Sequence, residues 1–415
     1  MFLLSLLICV VSSAAGIPIE EFASRRAALR KSLDTGVFVL VGASDHEKGD
    51  GRTGFFQEAN FYYLTGWTEP GAVLVMDGET EVLFLPKANP ITERYTGKKL
   101  TAEDPAALKA TGFVQVMNID QFESQLFRRL EKPRKIYADF SQPGTEKYKG
   151  VLALRKTEDA KPLVNFLRAK KSANEIALIT RTTDISVEAH KSAWLRVKAG
   201  AYEYQLAAAM TNVYFDNGCE RSAYPPIVGS GGNATVLHYS KNARRMDSGE
   251  LVLMDVGAEC SYYATDITRT IPVNGRFTPR QKELYEIVLG AQNAAIAAAK
   301  PGMTIKGTDD KSLQKIAMDY INSHGKDLKG EPLGKYFTHG LGHHVGLDVH
   351  DPWEPTNKLE AGHVITIEPG IYIPEEGIGV RIEDTLLITE TGSKVLSNAL
   401  PRDPSAIEKF LAEGK

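Results

Sequence analysis

The first 170 residues alternate short apolar runs with segments of helical periodicity. Four runs have strand length and end at Gly, Asp, Pro or a charged residue: "GVFVLVG" (36–42), "GAVLVMDG" (71–78), "TEVLFLP" (80–86) and "KIYADF" (135–140). Two segments are predicted to be amphipathic helices: "IEEFASRRAALRKSL" (19–33) and "IDQFESQLFRRLE" (119–131). Strands that alternate with helices indicate a small α/β domain.

The second half begins with a clear helix start. Ser172 and Glu175 form a capping-box pattern ahead of a periodic segment that runs to about residue 198. Further helices are predicted at 202–216, 278–300 and 308–323, with strand-like segments between and after them. This half therefore has an α+β pattern. The charge-dense stretch 155–175 is interpreted as a linker, which gives an N-terminal domain at 17–168 and a second domain at 169–415.

An internal repeat carries acidic residues within apolar strands. The segments "SGELVLMDVG" (248–257) and "AGHVITIEPG" (361–370) share a pattern at an offset of 113 residues, and Asp255 aligns with Glu368. An acid in such an apolar strand is costly to bury unless it is paired or coordinated. The apolar flanks disfavour the alternative, in which these acids are solvated on amphipathic strands.

Each strand of the repeat is followed by a segment with a second acid. "SYYATDITRTI" contains Asp266, and "IGVRIEDTLLIT" contains Glu383. If each pair folds as an antiparallel hairpin, with turns near 260–261 and 375–376, Asp255 faces Asp266 and Glu368 faces Glu383. The two hairpins would then bring four carboxylates together.

Carboxylates that lie close together must bind cations or take up protons, because their negative charges repel each other. Two like charges about 4 Å apart repel by roughly 4 kcal/mol at an effective dielectric near 20. Two divalent ions would balance four carboxylates. Oxygen-rich ligation with one or two imidazoles favours Mn²⁺ or Mg²⁺, with Zn²⁺ or Co²⁺ as alternatives.

The stretch "FTHGLGHHVGLDVHD" (337–351) gathers four of the nine histidines among three glycines. His339 and His343 are four residues apart, which places both rings on one face if the segment is helical. The alternative is a chance cluster of structural histidines. Together with the carboxylates, the stretch predicts a site with one nitrogen ligand and further imidazoles that stabilise charge.

These residues resemble a known family. Asp255, Asp266, His343, Glu368 and Glu383, in this order, are similar to the five metal ligands of the pita-bread metallopeptidases, which include methionine aminopeptidase, prolidase and aminopeptidase P. "HGLGHHVGLDVHD" and "EPGIYI" are most similar to the proline-specific branch, and "ANFYYLTGWTEPGAVLVM" resembles the N-terminal domain of aminopeptidase P. The resemblance implies an α+β fold, with a C-terminal pita-bread catalytic domain after a smaller N-terminal α/β domain.

The resemblance also implies how two divalent ions would be held, with Mn²⁺ favoured. Asp255 would bind one ion in bidentate fashion, and Asp266 and Glu383 would bridge both. His343 and Glu368 would complete the other site.

The remaining roles follow from the same resemblance. Glu368 would also shuttle a proton. His238 and His350 would hold the substrate carbonyl and the developing oxyanion, and His339 would contact the substrate near proline. Arg381 corresponds to an arginine near the active site, and Tyr372 is a candidate supporting residue. His344 and His363 match no family position and are expected to be structural.

The activity that the resemblance implies is hydrolysis of the Xaa-Pro bond at the N-terminus of peptides, by a hydroxide that bridges the two ions. One alternative is an Xaa-Pro dipeptidase, or prolidase. Another is a non-catalytic binding module on the same fold, which the complete set of ligand types argues against. The family implies a homo-oligomer, either a dimer or a tetramer.

The composition and the N-terminal segment indicate which classes of partner to expect and where the protein is located. The net charge of −3 gives no reason to expect nucleic acid, and the chain has no apolar stretch of about 18 residues that could span a membrane. Residues 1–16, "MFLLSLLICVVSSAAG", resemble a signal peptide, so we expect export to the periplasm or the exterior, and a cytoplasmic location if the segment is retained. The sequence leaves open whether Cys219 and Cys260 form a disulfide.

Overall fold

A computed structural model describes residues 16–44, 54–132, 134–353 and 358–414. The predicted signal peptide, apart from Gly16, lies outside the described residues. The chain divides into two compact units, Met1–Leu163 and Val164–Lys415. No helix among the described residues has the length and apolar character needed to cross a bilayer.

The first unit is built on one mixed sheet in the order β4-β3-β2-β1-β5-β6. Its strands are β1 (Val37–Val41), β2 (Val73–Met76), β3 (Glu81–Leu85), β4 (Val116–Asn118), β5 (Ile136–Ala138) and β6 (Thr157–Asp159). Its helices are α1 (Ile19–Arg30), α2 (Ala59–Thr65), α3 (Pro90–Thr96), α4 (Ala107–Thr111), α5 (Phe122–Arg129), α6 (Pro143–Glu146) and α7 (Lys149–Leu152). The predicted apolar runs are confirmed as β1, β2, β3 and β5.

The central strands of this sheet are apolar because both of their faces are covered. Every residue of β1, β2 and β3 is buried. The ring of Phe122 on α5 makes edge-to-face contacts with Phe84 and Tyr148, at centroid distances of 5.7 and 4.7 Å. Arg26 of α1 is fully buried, and its Nε lies 3.1 Å from a carboxylate oxygen of Glu81.

The interpretation of 155–175 as a linker is wrong for most of its length. It contains β6, which pairs in parallel with β5, and α8 (Lys161–Ala169), which crosses the boundary between the units. Besides its charged residues, α8 has an apolar face, which includes the buried residues Val164 and Ala169. Charge density alone therefore did not distinguish a linker from an amphipathic helix.

The second unit contains four small sheets, in the orders β11-β10-β7, β12-β9-β8, β13-β16-β17 and β14-β15. Its strands are β7 (Arg221–Ser222), β8 (Ile227–Ser230), β9 (Leu251–Asp255), β10 (Ala258–Cys260), β11 (Tyr263–Ala264), β12 (Thr268–Pro272), β13 (Val364–Ile367), β14 (Gly370–Ile373), β15 (Ile378–Arg381), β16 (Asp384–Ile388) and β17 (Ser393–Val395). Its helices after α8 are α9 (Ala173–Trp194), α10 (Glu203–Asp216), α11 (Pro279–Ala298), α12 (Leu313–His324) and α13 (Pro404–Glu413).

The predicted helix starts agree with the structure at two places. Both hydrogen bonds of the capping box between Ser172 and Glu175 are present at the start of α9, and the same holds for Thr278 and Gln281 at α11. α12 begins at Leu313, five residues after the predicted start, because Ser312 accepts the capping hydrogen bond. A disulfide joins Cys219 to Cys260 at the end of β10.

The second predicted hairpin is confirmed. Ile367 pairs with Asp384, and Gly370 pairs with Arg381, so this register sets Glu368 opposite Glu383. The turn lies at Pro374–Glu376 and ends at Gly377, whose φ of 62° is in the left-handed region that glycine tolerates.

The register predicted for the first hairpin is wrong by two residues. Asp255 pairs with Thr268 rather than with Asp266. Side chains alternate between faces with a period of two, so both acids still point to the same side of the hairpin. The turn lies at Ser261 and Tyr262, which both have positive φ, one residue later than the predicted 260–261.

A buried ionic contact fastens the two hairpins together. The backbone N–H of Glu383 donates to the carbonyl of Thr268 at 3.0 Å. The fully buried guanidinium of Arg269 donates to the carbonyl of Glu383 at 2.6 Å and to the Asp384 carboxylate at 2.7 Å. The side-chain amide of Gln292, from α11, also donates to Asp384, at 2.9 Å. These contacts fix the backbone that carries the predicted ligands.

Candidate active site

All of the predicted site residues line one cavity of about 810 Å³ in the second unit. This volume is typical of sites that enclose a small molecule or part of a peptide. The predicted residues in its wall are Asp255, Asp266, His343, Glu368, Glu383, His238, His339, His350 and Arg381. The structure therefore brings together side chains that lie up to 145 positions apart in the chain, between His238 and Glu383.

Three of the predicted ligands surround one point. One ligand atom from each of Asp266, His343 and Glu383 lies within 4.8 Å of the other two. Nε2 of His343 is 3.4 Å from Oδ2 of Asp266 and 3.5 Å from Oε1 of Glu368. A cation between these atoms would contact carboxylate oxygens and one imidazole nitrogen, which is a donor set suited to a divalent metal.

Hydroxyl groups orient the carboxylates. The Tyr224 hydroxyl is 2.7 Å from Oδ1 of Asp255 and is also hydrogen-bonded to Asp266. Thr268 donates to Oε2 of Glu383 at 2.7 Å. Outer groups of this kind fix ligand orientation in metal sites. Sequence analysis missed Tyr224, because it lies in the separate segment "SAYPP", where nothing in the local pattern points to a site.

Three of the four buried carboxylates resist ionisation. Burial raises the pKa of Asp255 to about 6 and that of Glu368 to about 7. Burial, together with the charges of Asp266 and Glu368, raises the pKa of Glu383 well above its usual value. Asp266 differs: its burial is outweighed by hydrogen bonding to His343 and by that ring's charge, so its pKa is lowered.

The basic residues of the site neutralise only part of the negative charge that the four carboxylates carry when they are ionised. Burial lowers the pKa of His343, but hydrogen bonding to Asp266 and the charge of Glu368 raise it to about 9. Arg381 donates to Oδ2 of Asp255 at 2.5 Å. With His343 neutral, as a metal ligand must be, one arginine faces four carboxylates. The residues present therefore fit two divalent cations, which would offset the remaining negative charge.

Three further imidazoles, those of His238, His339 and His350, line the same cavity. Nε2 of His339 lies 2.7 Å from the hydroxyl of Tyr372, which also accepts from Arg381 at 2.7 Å. Burial and the charge of Arg381 lower the pKa of His339 to about 4, so its ring is neutral near pH 7. His238 and His350 are exposed within the cavity wall. These imidazoles offer hydrogen-bonding groups near the carboxylates, with Nδ1 of His339 3.7 Å from Oε2 of Glu368.

The histidine stretch is not helical, so the condition under which the spacing of His339 and His343 would place both rings on one face of a helix is not met. Its glycines allow close backbone contacts instead. A Cβ at Gly342 would lie 2.1 Å from the carbonyl oxygen of Thr366, on β13. His344 and His363 form a buried ring pair, with centroids 4.9 Å apart, and neither lines the cavity.

Comparison with known proteins identifies both halves of the chain. Residues 177–390 match metallopeptidase family M24, and residues 22–137 match the aminopeptidase P N-terminal domain. These matches and the mixed helix and sheet structure confirm the predicted fold class.

Individual relatives extend over almost the whole chain. The Xaa-Pro aminopeptidase of Haemophilus influenzae is 34% identical, with 96% of this chain and 98% of that protein covered. The structure of a putative aminopeptidase P from Bacillus anthracis has a TM-score of 0.87 and 32% identity, and the match covers 96% of this chain and 99% of that chain. The Xaa-Pro dipeptidase of Pyrococcus furiosus is 35% identical over 81% of this chain and 90% of that protein. The chain belongs to metallopeptidase family M24, in its aminopeptidase P branch.

Proposed function

We propose that this chain removes the first residue of peptides whose second residue is proline, and that the reaction occurs in the cavity described above. The family match and the Xaa-Pro aminopeptidase relatives identify it as a metal-dependent Xaa-Pro aminopeptidase. The observation that carries the proposal is the convergence of four carboxylates and His343 in one cavity that is large enough for part of a peptide.

The proposed chemistry divides between the carboxylates and the imidazoles of the cavity. Divalent ions bound by the carboxylates and His343 would supply Lewis acidity, which lowers the pKa of water and polarises the scissile carbonyl. Glu368 would accept a proton from the attacking water and deliver it to the proline nitrogen. His350 and His238 would donate hydrogen bonds to the carbonyl oxygen as negative charge develops.

Manganese is the proposed metal. Its support is the donor set, in which four carboxylates outnumber one imidazole and favour a hard ion. Zinc and cobalt are the alternatives. One structure to which the chain is similar is described as zinc-substituted Escherichia coli aminopeptidase P in complex with product.

One experiment tests both substrate and metal. Chelated protein is supplied with Mn²⁺, Zn²⁺ or Co²⁺ and given Ala-Pro-Ala or Ala-Pro. We expect the release of alanine from Ala-Pro-Ala, with the highest rate in Mn²⁺. Cleavage of Ala-Pro alone would favour the dipeptidase, a function that the Pyrococcus furiosus relative supports. No cleavage of either peptide with any metal would contradict both functions.

Replacing a predicted bridging ligand should remove metal and activity together. Glu383→Ala deletes a carboxylate that belongs to the closest ligand group, so we expect it to lower bound metal and to reduce kcat/KM roughly 100-fold or more. Metal analysis and steady-state kinetics measure the two effects. Glu390→Ala, at an exposed position seven residues further on, is the matched control and should change neither. Full metal content in Glu383→Ala would refute the role of Glu383.

Metal affinity should rise with pH. Bound metal requires deprotonated ligands, whereas the metal-free site holds protons on Asp255 to about pH 6, on Glu368 to about pH 7 and on His343 to about pH 9. Each of these pKa values is raised, so protons compete with metal below it. Calorimetric titration of chelated protein should show tighter binding at pH 9 than at pH 6, with proton release. A dissociation constant that does not change over this range would contradict these protonation states.

Two properties of the mature protein are also proposed: export with removal of about 16 residues, and assembly as a dimer or tetramer. Export is supported by the Cys219–Cys260 disulfide, since disulfides persist mainly in oxidising compartments. Assembly is supported by the family resemblance. N-terminal sequencing should find a start near residue 17, and light scattering should give a multiple of the chain mass. An intact Met1, or a monomeric mass, would reject the corresponding proposal.

A further inference from the structure

A buried ion cluster, which the proposed mechanism does not use, supports the histidine stretch. The side chains of Arg168, Lys171 and Asp351 are almost completely shielded from solvent, with residue exposures of 3%, 4% and 5%. Arg168 donates to Oδ1 of Asp351 at 2.5 Å, and Lys171 donates to Oδ2 at 2.9 Å. Each oxygen of Asp351 thus has its own cation. Because burying a charge costs several kcal/mol unless it is paired, the three residues depend on one another.

The Asp351 carboxylate closes a short loop. The backbone N–H of Asp351 donates to the carbonyl of His344 at 2.9 Å, and the carboxylate accepts from the backbone N–H of Asp348 at 3.1 Å. A Cβ at Gly346 would lie 2.6 Å from Oδ2 of Asp351, so only glycine leaves room for the carboxylate there. Residues 344–351 therefore form a loop that is closed by contacts with Asp351.

Closure of the loop determines where His350 lies. His343 and His350 stand at opposite ends of the loop, and their ring centroids are 4.1 Å apart with an angle of 51° between the planes. No hydrogen bond to the His350 ring is present within the described part of the chain. With no such bond to orient it, the ring takes its position from the backbone that Asp351 anchors.

We propose that Asp351 is a positioning residue, which Arg168 and Lys171 hold in place, and that it sets His350 beside the metal ligands for contact with the substrate carbonyl. The inference rests on the proposed function, because His350 acts on substrate only in that reaction. Arg168 also donates to Asp348 at 2.7 Å, so it keeps one acidic partner if Asp351 is removed. Lys171 has no second carboxylate within 4 Å among the described residues.

The ion pairs of Arg168 and Lys171 determine which variants can test the role of Asp351. Asp351→Ala alone leaves Lys171 as a buried cation and should destabilise the protein. Asp351→Ala with Lys171→Met removes one charge of each sign and leaves the Arg168–Asp348 pair. We expect this double variant to fold, to bind its full complement of metal and to lose kcat on the order of 10- to 100-fold, because a displacement of about 1 Å can cost that much. KM should change less than kcat.

Three comparisons separate positioning from a general structural role. Arg26→Met with Glu81→Ala removes a buried ion pair in the first unit and should leave kcat unchanged at a similar loss of thermal stability. In a His350→Ala background, the double change at 171 and 351 should cause little further loss of kcat, because Asp351 would act through the missing ring. Asp351→Asn with Lys171→Met should restore part of kcat, since an amide oxygen still accepts from Arg168.

Three outcomes would overturn the proposal: kcat within twofold of wild type in the folded double variant, an equal loss of kcat in the His350→Ala background, or a matching loss in the Arg26/Glu81 control. A crystal structure of the double variant provides a readout that does not depend on activity. It should show the His343 and His350 rings further apart than 4.1 Å. If the wild-type protein cleaves no Xaa-Pro peptide, the proposed function fails, and the ring separation still tests the positioning.

Discussion

The structure of the second unit depends on the burial of four carboxylates around one cavity. Such a group is unstable in isolation, because burial and mutual repulsion raise the pKa values of Asp255, Glu368 and Glu383. Within the described part of the chain, Arg381 is the only arginine or lysine that pairs with one of these four carboxylates, and the other basic partner is His343, which is itself a predicted ligand. The uncompensated charge is what gives the cavity its affinity for divalent cations.

Rigid support keeps the acids together despite their repulsion. Arg269 is buried beneath the junction of the two hairpins, where it binds Asp384 and the carbonyl of Glu383. Thr268 and Tyr224 hold individual carboxylates through their hydroxyls. Asp351 closes the loop at 344–351, which carries His350. Tyr224, Thr268 and Arg269 contact the predicted ligands directly, so the geometry of these residues is set before any metal binds.

Much of the site was predictable because each hairpin is local. Glu368 and Glu383 are separated by one turn, and an unbroken register placed them opposite each other. The register of the first hairpin was not predicted correctly, because its turn lies at Ser261 and Tyr262, one residue later than the predicted 260–261, which moves the pairing by two residues. The supporting residues could not be found in this way. Tyr224 and Arg168 lie far along the chain from the groups they hold, and nothing in their own segments indicates a partner.

By itself, the sequence determined the element types, the capping of α9 and α11, the repeat that carries the acids and the family. These features are encoded by residues close together in the chain or by a spacing that the resemblance matches. Only the tertiary structure decided that 155–175 is folded, that the histidine stretch is irregular and that Cys219 joins Cys260. Each of these outcomes depends on which side chains, distant in sequence, are buried together. The free energy of that burial arises only in the assembled fold and is not determined by any single segment.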